Sequence, residues 1–292
     1  MSIDKLQDKI RKLKSPLVVD LTIAPSQIPP HIIEAAADPV AAYKLYAKAM
    51  LQELKTVVPA VRFSFGSFAL YGGSGLNVLR EILKFAKAQG FYVILEGVEA
   101  FCAQKAEQAA QILLSENCPW DFDGLILDAY IGSDGLRPYI FGLKESEKDL
   151  FVVVRTSNRT AQELQDLLTG SRLVHMAKAD IVNRFASDLV CRGGYSQVAI
   201  LAGASSADSL RTLREKYKNI FLLLDGSDYP NANAKNCSYA FDRLGRGAAA
   251  CIGDSVTAAW REAGAQESAY LELAVQSALR MKKNIARYVT IL

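Results

Sequence analysis

Eight short apolar runs, spaced along the chain and separated by amphipathic helical stretches, constrain this sequence more than any other feature. They are LVVDLTI (17–23), AVRFSFG (60–66), YVILEGV (92–98), GLILDAY (124–130), LFVVVRT (150–156), VAILAG (198–203), IFLLLDG (220–226) and AAACIGD (248–254). Each is rich in Val, Ile, Leu, Phe or Ala, which is how a strand covered on both faces of a parallel sheet reads. Between them, residues 74–88 set Leu76, Leu79, Ile82, Leu83 and Ala86 on one stripe and stop at Gly90. The stretches 103–115 and 205–216 behave likewise, the latter with Ser205 or Ser206 as its cap, and 265–286 reads as a long final helix.

Eight β–α alternations without a linker or a break in composition predict a single α/β domain over 1–292, a closed (β/α)8 TIM barrel. A doubly wound open sheet is the structural alternative, and the absence of GxGxxG after the first strand argues against its dinucleotide-binding form. Half the residues are hydrophobic, enough for a sizeable core, and the net charge of +3 is too small to imply nucleic acid or an anionic membrane as partner. The basic residues near the start (Lys5, Lys9, Arg11, Lys12, Lys14) read as the solvated face of a first helix. No apolar stretch reaches membrane-spanning length, and MSIDKLQDKI lacks the apolar core of a signal peptide, so a cytoplasmic protein is expected. The five cysteines (Cys102, Cys118, Cys191, Cys237, Cys251) show no metal spacing and are expected to be reduced thiols. With only His31 and His175, a histidine-rich metal site is excluded, and no metal is expected.

In a barrel of this kind the chemistry sits at the C-terminal strand ends. Those ends carry Asp20 and Thr22, Arg62 and Ser64, Glu96 and Val98, Asp128 and Tyr130, Thr156 to Asn158, Gly203 to Ser205, Asp225 and Gly226, and Gly253 to Ser255. Alternation places Arg62 with Ser64 and Glu96 with Val98, and strands two and three are neighbours, so Arg62 and Glu96 are expected to meet. A charge inside a barrel must be paired or hydrogen-bonded, which leaves a structural ion pair and a polar ligand pocket both open.

At these strand ends the sequence resembles orotidine 5′-phosphate decarboxylases, and within them the longer bacterial subgroup often called type 2. The resemblance covers about residues 16 to 260 and is carried by VPAVRFSFGSFALYGGSGL (58–76), DGLILDAYIGSDGLRPYI (123–140), FVVVRTSNRTAQELQDL (151–167) and AILAGASSADSLRTLR (199–214). The subgroup's PYxGxDxLxP, RTSN and GAT segments read here as AYIGSDGLRP, RTSN and GAS. The resemblance implies a TIM barrel that removes CO2 from a pyrimidine nucleotide without a cofactor. It also implies a homodimer in which the second Asp of a D-x-K-x-x-D array after strand three reaches across the interface.

The sequence departs from that pattern. Aligned through VILEGVEAFCAQKAEQA, Glu96 replaces the first Asp, Val98 stands at the proton-donating Lys, and Phe101 stands at the second Asp. Valine has neither charge nor proton to give. The strand-two Lys corresponds to Arg62, and the strand-one Asp falls at Thr22 in the simplest register, with Asp20 able to substitute only after a shift. The phosphate-holding loop corresponds to DGSDYPNANA (225–234), with Pro230 at the Gln position, and Asp254 replaces the phosphate Arg. Asp225, Asp228 and Asp254 would make this rim acidic, which suits a neutral or cationic ligand, while Ser157 is retained. Arg62, Glu96 and Asp128 are the candidate catalytic residues. Thr22, Ser157, Asn158, Ser205, Asp225 and Asp254 are the candidate ligand-binding residues.

Three readings follow. The first is a degenerate or repurposed barrel that binds a small molecule, or associates with itself or an active paralogue. The second is an active decarboxylase whose Lys comes from elsewhere, with Lys105 and Lys178 the nearest but helical and outside the pore. The third is a different small-molecule barrel enzyme using Arg62, Glu96 and Asp128.

Overall fold

The computed structural model describes residues 2–97, 103–127, 130, 132–230, 232–264 and 266–292. The barrel strands are β1 (Leu17–Asp20), β2 (Ala60–Ser64), β3 (Tyr92–Glu96), β4 (Gly124–Leu127), β5 (Asp149–Arg155), β6 (Val198–Gly203), β7 (Leu222–Asp225) and β8 (Ala248–Ile252). They pair in parallel in chain order and close between β1 and β8, which excludes the open doubly wound sheet. A two-residue antiparallel pair, Leu168–Thr169 with Arg172–Leu173, lies outside the barrel.

Most strands end earlier than the apolar runs suggest, because their last polar residues leave the ladder to cap or turn. The Ser64 side chain accepts the Ser67 N–H and starts a helix, Phe65–Ala69, directly after β2. At β8 the backbone of Gly253 breaks extended geometry, so Asp254 begins a short helix instead of ending the strand. The final helix starts at Tyr270, not at 265, behind a 3-10 turn over Glu267–Ala269. Helix Gly72–Ala88 buries Leu79, Ile82, Leu83 and Ala86 as its stripe predicts, with Leu76 half-buried at the edge. Ser206, not Ser205, caps helix Ala207–Lys216.

Two apolar layers result. The larger lies between the strands and the surrounding helices, and the smaller fills the barrel interior. Alternation selects Val18, Ala60, Tyr92, Ile94, Ile126, Phe151, Leu201, Phe221, Leu223 and Cys251 for the interior. At the N-terminal end of the barrel, the helix Ser2–Leu13 packs Ile3, Leu6 and Ile10 into this interior layer, so the bottom is plugged by apolar side chains. Its basic residues Lys5, Arg11 and Lys12 lie outside. Cys118, Cys191, Cys237 and Cys251 are free thiols, while Cys102 lies outside the described residues. Among the described residues no helix is long and apolar enough to cross a membrane.

Candidate functional site

On four strands the interior face continues, two residues beyond its last apolar side chain, into a charged one. Val18 is followed by Asp20, Ala60 by Arg62, Ile94 by Glu96 and Leu223 by Asp225. Strand register then aligns them, with Asp20 opposite Arg62, Ser64 opposite Glu96, and Gly203 opposite Asp225. The four charged groups therefore meet at the mouth without any loop having to deliver them.

Arg62 is the hub. Its Nε donates to Glu96 Oε2 at 2.9 Å, and Nη2 donates to the same oxygen. Nη1 donates to Asp225 Oδ1 at 2.6 Å, and Nε lies 3.6 Å from Asp20 Oδ2. Cys251 Sγ sits 3.9 Å from Nη1, beneath the guanidinium. Asp225 also accepts the Ser157 hydroxyl at 2.5 Å, and Asp20 accepts the Thr22 N–H at 2.8 Å. The arginine side chain is 12% exposed and the carboxylates near 20%, so these charges act in a largely desolvated place.

Among the described residues, one cation faces three carboxylates, which leaves an excess of negative charge. Burial pushes the Glu96 carboxyl up to about 7, against the pull of Arg62, with Asp20 and Asp225 adding repulsion. Burial likewise raises Asp20. Burial disfavours the charged guanidinium, but Asp20, Glu96 and Asp225 outweigh it and hold Arg62 well above its usual range. The cluster thus keeps its arginine charged and holds an exchangeable proton on its carboxylates near neutral pH. These carboxylates converge on a guanidinium, and among the described residues no group of three or more His, Cys, Asp or Glu is arranged to hold a metal ion.

Around this hub the remaining predicted residues take different parts. Thr22 is half-buried beside Asp20, and Ser157 bridges to Asp225. Asn158 is exposed and bonds its neighbours Thr156 and Thr160. Ser205 follows β6 and is half-buried. Asp254 is exposed and accepts from Gln27 Nε2 at 2.7 Å. Asp128, Val98 and Phe101 lie outside the described residues. Lys105 is exposed on helix Ala103–Leu113 and Lys178 is buried in helix Val174–Ala186, neither of them on a barrel strand.

The acidic rim expected from Asp225, Asp228 and Asp254 takes another form. Asp225 points inward onto Arg62, and Asp228 accepts the backbone N–H groups of Gly253 and Ser255 at 2.8 and 3.1 Å. Gly226 makes that possible. Its φ of +62° turns the chain out of β7, and a Cβ there would meet the Tyr229 ring at 2.7 Å. Burial raises the Tyr229 phenol, with Asp225, Asp228, Asp20 and Asp254 all adding to it.

Sequence reading undervalued Asp20, which it placed at a strand end and allowed as the strand-one Asp only with a shift of register. The available signal was parity, since Val18 faces inward and Asp20 must follow it. It also missed the support beneath the Thr156–Asn158 turn. Arg155, 7% exposed, is held by Asp166 at 3.1 and 2.9 Å, and His175 Nδ1 lies 3.0 Å from the same carboxylate. Gln165 accepts the Thr156 N–H at 2.8 Å and donates to Thr156 Oγ1 at 2.7 Å. This network fixes the turn that presents Ser157 to Asp225.

No family model matches the chain. It is similar to orotidine 5′-phosphate decarboxylases, as its strand-end segments indicated. That of Clostridium acetobutylicum is 24% identical over 288 residues, covering 98% of this chain and 99% of that protein. That of Caldicellulosiruptor saccharolyticus is 24% identical over 261 residues, covering 82% of this chain and 83% of that protein. Among solved structures, the enzyme of Plasmodium berghei superposes with a TM-score of 0.78 at 12% identity, covering 98% of each chain. The Leishmania donovani decarboxylase gives 0.71 at 20% identity, covering 97% of this chain and 99% of that one.

Proposed function

We propose that this orotidine 5′-phosphate decarboxylase-like barrel does not decarboxylate orotidine 5′-phosphate and instead binds a neutral or cationic small molecule at the same mouth. The observation that carries the reading is the state of Arg62. It aligns with the family's strand-two lysine, yet its guanidinium is engaged by Glu96 and Asp225 and lies close to Asp20. Decarboxylation asks for a positioned acid that gives a proton to a developing carbanion. A guanidinium held well above its usual range cannot serve. Val98 and Phe101, at the aligned Lys and second Asp positions, supply no replacement. The excess negative charge of the cluster favours a ligand that brings hydrogen-bond donors or a positive group.

The test is direct. Purified protein incubated with orotidine 5′-phosphate should leave its ultraviolet absorbance unchanged over hours, and turnover near the rate of a working decarboxylase would overturn the reading. A second reading, a different barrel enzyme, is favoured by Glu96, whose carboxyl at about 7 suits proton transfer near neutral pH. In that reading Glu96 exchanges the proton, Arg62 clamps a polar substrate, and Asp128, next in sequence after β4, adds a carboxylate. Residues 1–292 act as one barrel unit in either case, and pairing with a second copy or an active paralogue is tested by mass determination in solution.

A further inference from the structure

The end of the mouth formed after β7 and β8 is where barrels of this architecture bind phosphate, using loop amides and the start of a short helix. Here those groups are already engaged. Asp228 Oδ2 accepts from Gly253 N at 2.8 Å and from Ser255 N at 3.1 Å. The loop is fixed in place by Ser227, whose N–H donates to Cys251 O at 2.9 Å and whose hydroxyl donates to Leu224 O at 2.9 Å. Ser227 is itself buried, so the carboxylate one residue on has little freedom to withdraw.

A second carboxylate closes the same end from outside. Asp254 accepts from Gln27 Nε2 at 2.7 Å, and Gln27 Oε1 in turn accepts Ala24 N at 2.6 Å. Trp260 Nε1 donates to Gln27 O at 3.1 Å, and Arg261 Nη1 donates to Ser26 O at 3.0 Å. The segment after β1 is thereby tied across the β8 end, and Arg261 spends a donor on a backbone carbonyl.

We infer that Asp228 is a specificity-determining residue that acts as a built-in anion, occupying the phosphate-type cradle and excluding phosphorylated ligands, with Asp254 latching the β1 loop over it. The carboxylate satisfies the amides as a phosphate oxygen would, and its charge repels a second anion. The ligand class that remains is unphosphorylated. This deepens the reading proposed above and rests on it only for where the ligand sits.

The experiment uses the whole chain, with inorganic phosphate and uridine 5′-monophosphate as probes against chloride at matched ionic strength. Wild type should show no rise in Tm with either probe, and the Gly253 and Ser255 amide resonances should not move. D228G/D254R, which empties the cradle and supplies a cation, should gain several degrees of Tm with both probes. Movement of those two amides in wild type on adding phosphate would overturn the inference. So would a cooperatively folded D228G/D254R that responds to neither probe. If the double variant does not fold, the wild-type amide titration decides alone. Turnover of orotidine 5′-phosphate would instead sink the proposed function, so the two failures are distinguishable.

Discussion

Arg62 Nε lies 2.9 Å from Glu96 Oε2, across neighbouring strands whose register sets Arg62 beside Ile94 and Ser64 beside Glu96. The contact joins the guanidinium of the cluster to a carboxyl that burial pushes up to about 7. Their fates on mutation are therefore linked.

Replacing Arg62 with Met removes the counter-charge from three partly buried carboxylates. Breaking a buried pair in this way costs about 3–5 kcal/mol. Denaturant unfolding at pH 7 should show that loss. At pH 5 the loss should be smaller, because Glu96, pushed up to about 7 by burial, then carries a proton and needs the arginine less. An equal loss at both pH values would contradict the charge-pairing account.

Glu96 itself predicts a pH slope. Its folded-state value of about 7 lies above the unfolded value near 4.3, so between those limits the folded state binds the additional proton. Stability contributed by the protonated carboxyl is fully present below about 4.3 and is lost as pH rises to about 7. The total is on the order of 1–3 kcal/mol once partial exposure is allowed for. In E96Q this falling limb should flatten, while wild type keeps it. Urea midpoints collected from pH 4.5 to 7.5 make the comparison.

Restoring the family's residues at two positions should not restore decarboxylation. The variant V98K/F101D returns a lysine and an aspartate, but Arg62 remains tied to its carboxylates and Asp228 still fills the cradle. The absorbance assay should stay flat. Activity in this double variant would mean that the loss lies in the D-x-K-x-x-D segment alone.

Asp166→Ala should release the Thr156–Asn158 turn. It strands the buried Arg155 guanidinium and takes from His175 its carboxylate neighbour, leaving it the Gln165 carbonyl, at a cost of about 3–5 kcal/mol. Arg155, through its hydrogen bond, holds the Asp166 carboxyl below the usual range, with burial opposing and His175 adding to the pull. That stabilisation is present above the unfolded carboxylate value and is lost as pH falls through the depressed one. Faster proteolytic cleavage between residues 156 and 173 is the expected readout, and R155K should protect only in part, since lysine cannot make the bidentate contact.

Leu6→Ala should cost about 2–5 kcal/mol, because Leu6 is fully buried where the first helix plugs the barrel floor. Lys12→Ala, on the exposed face of the same helix, should cost under about 0.5 kcal/mol. Thermal unfolding of the two variants side by side separates a packed plug from a loosely attached segment.

The strand runs, their order and the inward parity of Arg62 and Glu96 were legible because apolar runs of strand length and period-two alternation are local properties. Strand ends were not, since Ser64 and Gly253 leave the ladder through capping and backbone geometry that composition does not reveal. The role of Asp20 was hidden for another reason. Comparison along one dimension aligned Thr22 with the family's strand-one Asp and admitted Asp20, which shares an interior face with Arg62, only with a shift of register.

The sequence by itself determined a parallel barrel and the types of charge at its mouth, because burying eight apolar runs between helices leaves few other architectures. It also puts Val98 and Phe101 where the resemblance expects the lysine and the second aspartate, because residue identity is read directly along the chain. Only the tertiary structure decided where each charge is spent. Asp225 and Asp228 are three residues apart, yet one turns inward to Arg62 and the other caps Gly253 and Ser255. That division depends on the positive φ of Gly226 and on strand closure bringing β8 alongside β7, distances that exist only once the barrel has closed.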